Sequence, residues 1–224
     1  MQEIECDHPE GTVGVLVGPL VRYRAVFTSL EALQVPKGTK LIYAEGVDIA
    51  RNCNMLVENM KGHWLWVMGD DHRFKPDLLM ALLNRKVEIV APTVCRRGKP
   101  FSTVAWKTAI VGGFENENHT CASLNKEYPN GGMIEVPATG SAGMLIRKWV
   151  FDSIPKPFFG YTRHTSEDVG FCLNAAASGY KIHMDLEQTM SHLTPCEVEP
   201  TKDANGSWYV TVSVDGQKVP LSYA

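Results

Sequence analysis

The chain has 224 residues, 44% hydrophobic and 21% charged, with a formal net charge of −3. This composition excludes a disordered chain, and the length suits one domain with a small appendage. The small negative charge excludes a protein drawn globally onto nucleic acid or anionic membrane.

No run reaches the roughly 18 apolar residues of a membrane helix. Residues 1–10 are polar and acidic, unlike a secretion leader. Six scattered cysteines without a CxxC pair fit buried thiols in a reducing compartment, so a cytoplasmic location is the expectation.

In chain order, Thr12–Val17 is a near-continuous apolar run closed by Gly18-Pro19, the pattern of a strand buried on both faces. Residues 21–33 carry apolar side chains at helical spacing. Residues 40–44 read as a second strand, and 49–60 as a helix with Asp48 as its N-cap. Residues 64–68 (WLWVM) form a third strand, Pro76 opens a helix running to about Leu83, and 87–91 form a fourth strand. This alternation predicts an α/β fold, an open and mostly parallel sheet with helices on both faces.

From about 96 to 137 periodicity weakens. Short antiparallel strands are expected at 102–106 and Met133–Val136, with a mobile loop around 115–130. Strand character returns at 141–147, followed by helices at 148–154 and 167–178, with Gly179 as C-cap of the second. Residues 181–185 form a last strand. The tail predicts a β-hairpin, Trp208–Val214 and 218–221, turning at Asp215-Gly216.

The chemistry-bearing segment is Gly69-Asp70-Asp71-His72, where an apolar strand ends and acids follow at once. Ligands of open α/β sheets bind at that edge, and hard carboxylate oxygens suit Mg²⁺ or Mn²⁺ bridging diphosphate oxygens. The structural alternative is solvated acids, with Asp71 or His72 capping the next helix. Glu167 and Asp168 sit in the first turn of a helix behind the aromatic loop Phe158-Phe159-Gly160-Tyr161. A carboxylate there suits a general base, or complements the helix dipole behind Ser166 as N-cap. His192 follows the last strand and gains meaning only from its company. Arg96-Arg97-Gly98-Lys99 is a basic cluster, either a solvated loop or a contact for a polyanionic acceptor.

In order and spacing these segments resemble the GT-A glycosyltransferases, particularly the large inverting nucleotide-sugar-dependent family of that fold. The resemblance runs from about residue 13 to 193. It includes Ala50-Arg51-Asn52, the acidic motif after the third strand, residues 74–79, residues 139–147, Ser166-Glu167-Asp168 with Phe171, residues 179–182 and His192.

The resemblance implies a metal-dependent transferase that moves a sugar from a nucleotide-diphosphate donor to an acceptor hydroxyl. UDP-sugar is favoured, with GDP-sugar as the other donor, and the acceptor is a glycan, small molecule or modified polymer. Asp71 matches the metal-binding aspartate of the family's DxD motif. Asp70 matches its middle position, reaching ribose or metal, and Gly69 replaces the first aspartate. His192 completes the metal shell around Mn²⁺ or Mg²⁺, and Asp168 matches the catalytic base. Gly18, Pro19, Glu45, Asp48, Arg51, Asp70, Gly140, Ser141 and Ala142 are expected at the donor; Phe158, Tyr161 and Glu167 are expected at the acceptor.

The implied organisation is a GT-A domain over residues 1–195, with a donor half at 12–95, an acceptor half at 96–195 and a C-terminal hairpin extension at 196–224. A bacterial or viral cytoplasmic enzyme fits this layout. The competing readings are a catalytically inactive nucleotide-sugar-binding protein, a retaining GT-A transferase, a sugar-1-phosphate nucleotidyltransferase, and a zinc hydrolase using Asp70, His72 and His192. The nucleotidyltransferase lacks its glycine-rich N-terminal signature here. Zinc prefers more His or Cys in close spacing than this sequence offers.

Overall fold

The computed structural model describes residues 1–18, 23–98, 101–108, 117–162, 165–202, 204–206, 208–214 and 217–221. In chain order the elements are β1 (Gln2–Ile4), β2 (Thr12–Val17), α1 (Arg24–Ala32), β3 (Gln34–Pro36), β4 (Lys40–Glu45), α2 (Ile49–Asn59), β5 (Trp64–Gly69), β6 (His72–Arg73), α3 (Leu78–Asn84) and β7 (Ile89–Val94). They continue with β8 (Ala105–Thr108), β9 (Glu117–Asn118), α4 (Cys121–Glu127), β10 (Met133–Val136), β11 (Ala138–Thr139), β12 (Met144–Arg147), α5 (Lys148–Ser153), α6 (Glu167–Ala177), β13 (Ile182–His192), β14 (Cys196–Lys202), β15 (Trp208–Val214) and β16 (Gln217–Leu221). Among the described residues no helix is long and apolar enough to cross a membrane.

The central sheet has the order β10-β13-β7-β12-β5-β2-β4, with β6 beside β13. β4, β2 and β5 are parallel to one another, and β7 is parallel to β13. β12 runs antiparallel between β5 and β7, and β10 lies antiparallel on the edge. The predicted parallel strands are therefore joined by inserted antiparallel ones. The reversal of β12 has a functional consequence. The carboxyl ends of β2, β4, β5 and β7 share one edge, and β12 begins there, so the loop before it, residues 140–143, is delivered to the same place.

β5 occupies the middle because its side chains suit burial on both faces. Trp64, Leu65, Trp66, Val67 and Met68 are all fully buried, and each aliphatic one contributes about 2 kcal/mol relative to exposure. Leu78, Leu79, Leu82 and Leu83 recur at helical spacing and bury one face of α3. Asp48 caps α2, accepting a hydrogen bond from Arg51 N at 3.1 Å.

Close backbone approaches fix two further elements. Gly143 has φ +73°, and a Cβ on it would lie 2.4 Å from Met190 Sδ. On α6, a Cβ at Gly170 would lie 2.0 Å from the carbonyl oxygen of Gly160, so helix and aromatic loop meet backbone to backbone. Gly170→Ala is therefore expected to destabilise the fold by about 3 kcal/mol, through overpacking that no side-chain movement relieves. Chemical denaturation of the variant against the wild type measures it.

Several expectations change. The loop expected around 115–130 contains α4, closed by a capping box in which Thr120 and Ser123 satisfy each other's backbone N–H; residues 109–116 lie outside the described residues. α3 begins at Leu78 rather than Pro76, and the strand expected at 102–106 is Ala105–Thr108. The strand expected at 181–185 runs on to His192, past a register irregularity between Asp185 and Thr189. The tail hairpin is present with a third strand, because β14 pairs with β15 along its whole length. β1 and β3 add a small parallel pair.

Candidate functional site

The site is built on the chain reversal after β5. Asp70 N still donates to Leu16 O at 3.0 Å, and Asp70 Oδ2 accepts from Gly18 N at 3.0 Å. Its carboxylate thus faces the end of β2. Asp71, the next residue, turns toward β13, and its carbonyl accepts from Leu193 N at 2.7 Å. β6 pairs antiparallel with the end of β13, placing His72 opposite His192. The two rings stack at 4.5 Å with 20° between their planes.

Asp71 joins this histidine pair. Its Oδ2 lies 3.1 Å from His192 Nε2, and its Oδ1 lies 2.7 Å from His72 Nδ1. Arg97 Nη1 stands 3.4 Å from Oδ2. Burial pushes the Asp71 carboxyl up, but the contacts with His192 and His72 outweigh it and hold the group well below the usual carboxylate range.

One ligand atom from each of Asp71, His72 and His192 falls within 4.8 Å of the others. Two observations fit a divalent cation there. His72 is buried with its Nδ1 against the Asp71 carboxylate, and its Nε2 has no hydrogen-bond partner, a costly arrangement for a polar atom out of water. His192 Nδ1 contacts Cys95 O at 3.1 Å, and a carbonyl only accepts, so Nδ1 carries the proton. In the neutral ring Nε2 is then a bare lone pair facing a carboxylate oxygen. Two acceptors at that distance repel unless a cation bridges them or the ring is charged.

Beside this cluster a cleft of about 250 Å³ opens at the carboxyl edge of the sheet. Gly18 from the end of β2, Asn52 from α2, Asp70 to His72, Ser141 and Ala142 from the loop before β12, and Glu167 from α6 line it. Glu167 is 7% exposed, and burial, with the nearby charge of Asp168, raises its carboxyl above the ordinary value.

That shift has a sign. The folded state penalises the ionised form, so the penalty is absent below the unfolded carboxyl's range near 4.5 and complete above the raised folded value. Glu167→Gln is therefore expected to raise the melting temperature at neutral pH, with the gain vanishing toward pH 4. Thermal melts of both proteins across that range check it.

No protein-family model matches the chain, and no curated protein matches it in sequence. Solved structures do match its three-dimensional form. The crystal structure of GalNAc-T7 with UDP, GalNAc and Mn²⁺ superposes with a TM-score of 0.55 at 11% identity, over 84% of this chain and 44% of that one. The structure of S. aureus TarS residues 1–349 superposes with a TM-score of 0.50 at 11% identity, over 82% and 61%. The chain thus spans less than two thirds of either. Both are GT-A glycosyltransferases. The chain has the GT-A fold.

On this GT-A scaffold, not every residue expected at the site reaches the cleft. Asp71 and His192 come together, and His72 joins them where Asp70 was expected. Asp70 borders the cleft from the Gly18 side instead. Gly18, Ser141, Ala142 and Glu167 line the cleft, together with Asn52 and Asp70.

Asp168 lies next to it. Its Oδ1 accepts from Ser166 Oγ and from Val169 N at 2.8 Å, and its Oδ2 lies 3.5 Å from where a Cβ on Gly140 would stand.

Arg51 departs from expectation. It lines a separate groove with Lys156 and Phe158, and Ile49 and Asn52 are the α2 residues that line the cleft. One residue is a 100° turn on a helix, and the motif does not reveal which side faces in. Asp48 spends its carboxylate on the α2 cap. Glu45 ends β4 opposite Val17, outside the cleft lining. Phe158 is 6% exposed and packs edge-on against Phe151 at 5.4 Å, a core role rather than an open acceptor surface. Tyr161 is 57% exposed, its hydroxyl accepting from Ala50 N at 3.4 Å. Pro19 lies outside the described residues.

Proposed function

We propose that the protein is a metal-dependent glycosyltransferase that takes a sugar from a nucleotide-diphosphate donor. The observation that carries this reading is the Asp71–His72–His192 cluster opening onto a cleft at the carboxyl edge of a GT-A sheet. GalNAc-T7, which shares the fold, holds UDP, GalNAc and Mn²⁺, and UDP-sugar is the favoured donor class here.

Asp71, His72 and His192 would hold the cation. When bound, it stabilises the negative charge that develops on the departing diphosphate. The protein's own groups supply the rest. Gly18 and Asp70 border the nucleoside side, and Ser141 and Ala142 line the cleft where the donor sugar passes the loop before β12. Asp168 acts as general base: Ser166 Oγ and Val169 N fix Oδ1, which leaves Oδ2 at Gly140 to receive the proton of the acceptor hydroxyl. A single displacement from the face opposite the leaving group inverts the anomeric carbon. In this reading residues 12–95 form the donor half, 96–195 the acceptor half and 196–224 an extension.

Two histidines and a carboxylate also suit Zn²⁺, so the metal series includes it. The test is donor turnover across UDP-, GDP- and dTDP-sugars with Mn²⁺, Mg²⁺, Zn²⁺ or chelator. Metal-dependent release of a nucleoside diphosphate from one donor class is expected. No metal-dependent binding or turnover with any donor would defeat the reading.

A further inference from the structure

Among the described residues, the lining of the cleft is acidic. Among its described lining residues none is Lys or Arg, while Asp70, Asp71 and Glu167 contribute carboxylates. A nucleotide-sugar diphosphate brings two more negative charges. A divalent ion held by Asp71 and two neutral histidines leaves about one positive charge against them, with Asp70 alongside.

Among the described residues, Arg97 brings a cation to Asp71. Cys95 bridges to Thr103 at the end of β7, and Arg96 N donates to Ser102 O at 2.8 Å, at the sheet edge that carries the cleft. The neighbouring Arg96 is occupied over the ring of Trp106, 5.5 Å from its centroid. Arg97 is not held that way: its side chain is 41% exposed, and its guanidinium reaches Asp71 Oδ2, the oxygen that His192 Nε2 also approaches. With Asp71 and His192 engaged in holding a cation, Asp71 Oδ2 would no longer hold the guanidinium, which would be free to turn to the cleft beside it. There its planar fork of donors matches phosphate oxygens.

We propose that Arg97 is the diphosphate-binding cation of the site, resting on Asp71 until a divalent ion takes that carboxylate and then holding phosphate oxygens of the donor. This rests on the glycosyltransferase reading and adds to it a residue that positions the leaving group.

Inorganic pyrophosphate probes this without regard to which nucleotide is used. Calorimetric titrations at fixed ionic strength measure Mn²⁺ alone, then pyrophosphate in saturating Mn²⁺. Arg97→Ala is expected to weaken pyrophosphate binding about tenfold or more, with Mn²⁺ affinity unchanged or tighter because a competitor for Asp71 is gone. Arg97→Lys should recover part of the loss, and Arg96→Ala should match the wild type. Weaker Mn²⁺ binding in Arg97→Ala would make Arg97 a support for Asp71 and overturn the proposal. Equal weakening by Arg96→Ala would reduce the effect to net charge and overturn it too. If the wild type binds Mn²⁺ with pyrophosphate and Arg97→Ala binds it equally well, the proposal falls and the glycosyltransferase reading stands. If the wild type takes no pyrophosphate with Mn²⁺, both fall.

Discussion

Asp71→Asn is expected to lower sugar transfer roughly 10³-fold, the scale on which lost stabilisation of a leaving group's charge is felt. The amide keeps the shape of the side chain but removes the charge that joins His72 to His192. Loss of metal and loss of rate should therefore appear together, while circular dichroism reports an intact fold. His192→Ala should follow the same course, because its Nε2 shares Asp71 Oδ2. Steady-state rates measured across a wide range of Mn²⁺ separate a weakened site, rescued by excess metal, from one that is lost.

Asp168→Asn is expected to behave differently. Its effect should fall on the chemical step, with kcat reduced by about 10²- to 10⁴-fold, the usual contribution of a positioned general base. UDP and Mn²⁺ should bind as in the wild type, because Asp168 sits against Gly140 rather than in the metal cluster. The amide can still accept from Ser166 and Val169 N through its oxygen, so the first turn of α6 should persist. Equal transfer rates in the variant and the wild type would remove Asp168 from the mechanism and leave Glu167, the carboxylate on the cleft wall, as the group to test next.

What the sequence revealed and concealed follows from the reach of local patterns. The apolar run of β5 followed immediately by two aspartates marked both a central strand and the sheet edge that carries the site. The spacing of Leu78, Leu79, Leu82 and Leu83 marked a helix with one buried face. Strand direction is not local. The four residues of β12 carry no signal of direction, and their antiparallel insertion between β5 and β7 is set by tertiary pairing alone.

Side-chain direction was equally hidden at three places. Asp70 and Asp71 are neighbours that turn to opposite sides, Gly18 capturing one and the β13 histidine the other. Arg51 and Asn52 differ by one step around α2, and of these two Asn52 lines the cleft. His72 reads as a helix cap, or as a ligand only in the zinc reading, because its pairing with His192 depends on β13 running past its irregular middle, where Leu186 to Thr189 lack the apolar alternation of a strand. The spacing of Thr120 and Ser123 was readable as a helix start, but without the glutamate of the usual capping box it passed for loop.

Asp71 and His72, neighbours in sequence, and the distant His192 are expected to hold one divalent ion at the mouth of the cleft. Titrating Mn²⁺ into the protein while following the electron paramagnetic resonance signal of free Mn²⁺ tests it directly. One saturable site per chain, lost in both His72→Ala and His192→Ala, is the predicted result. Absence of a saturable site, or a site that survives both replacements, would contradict it.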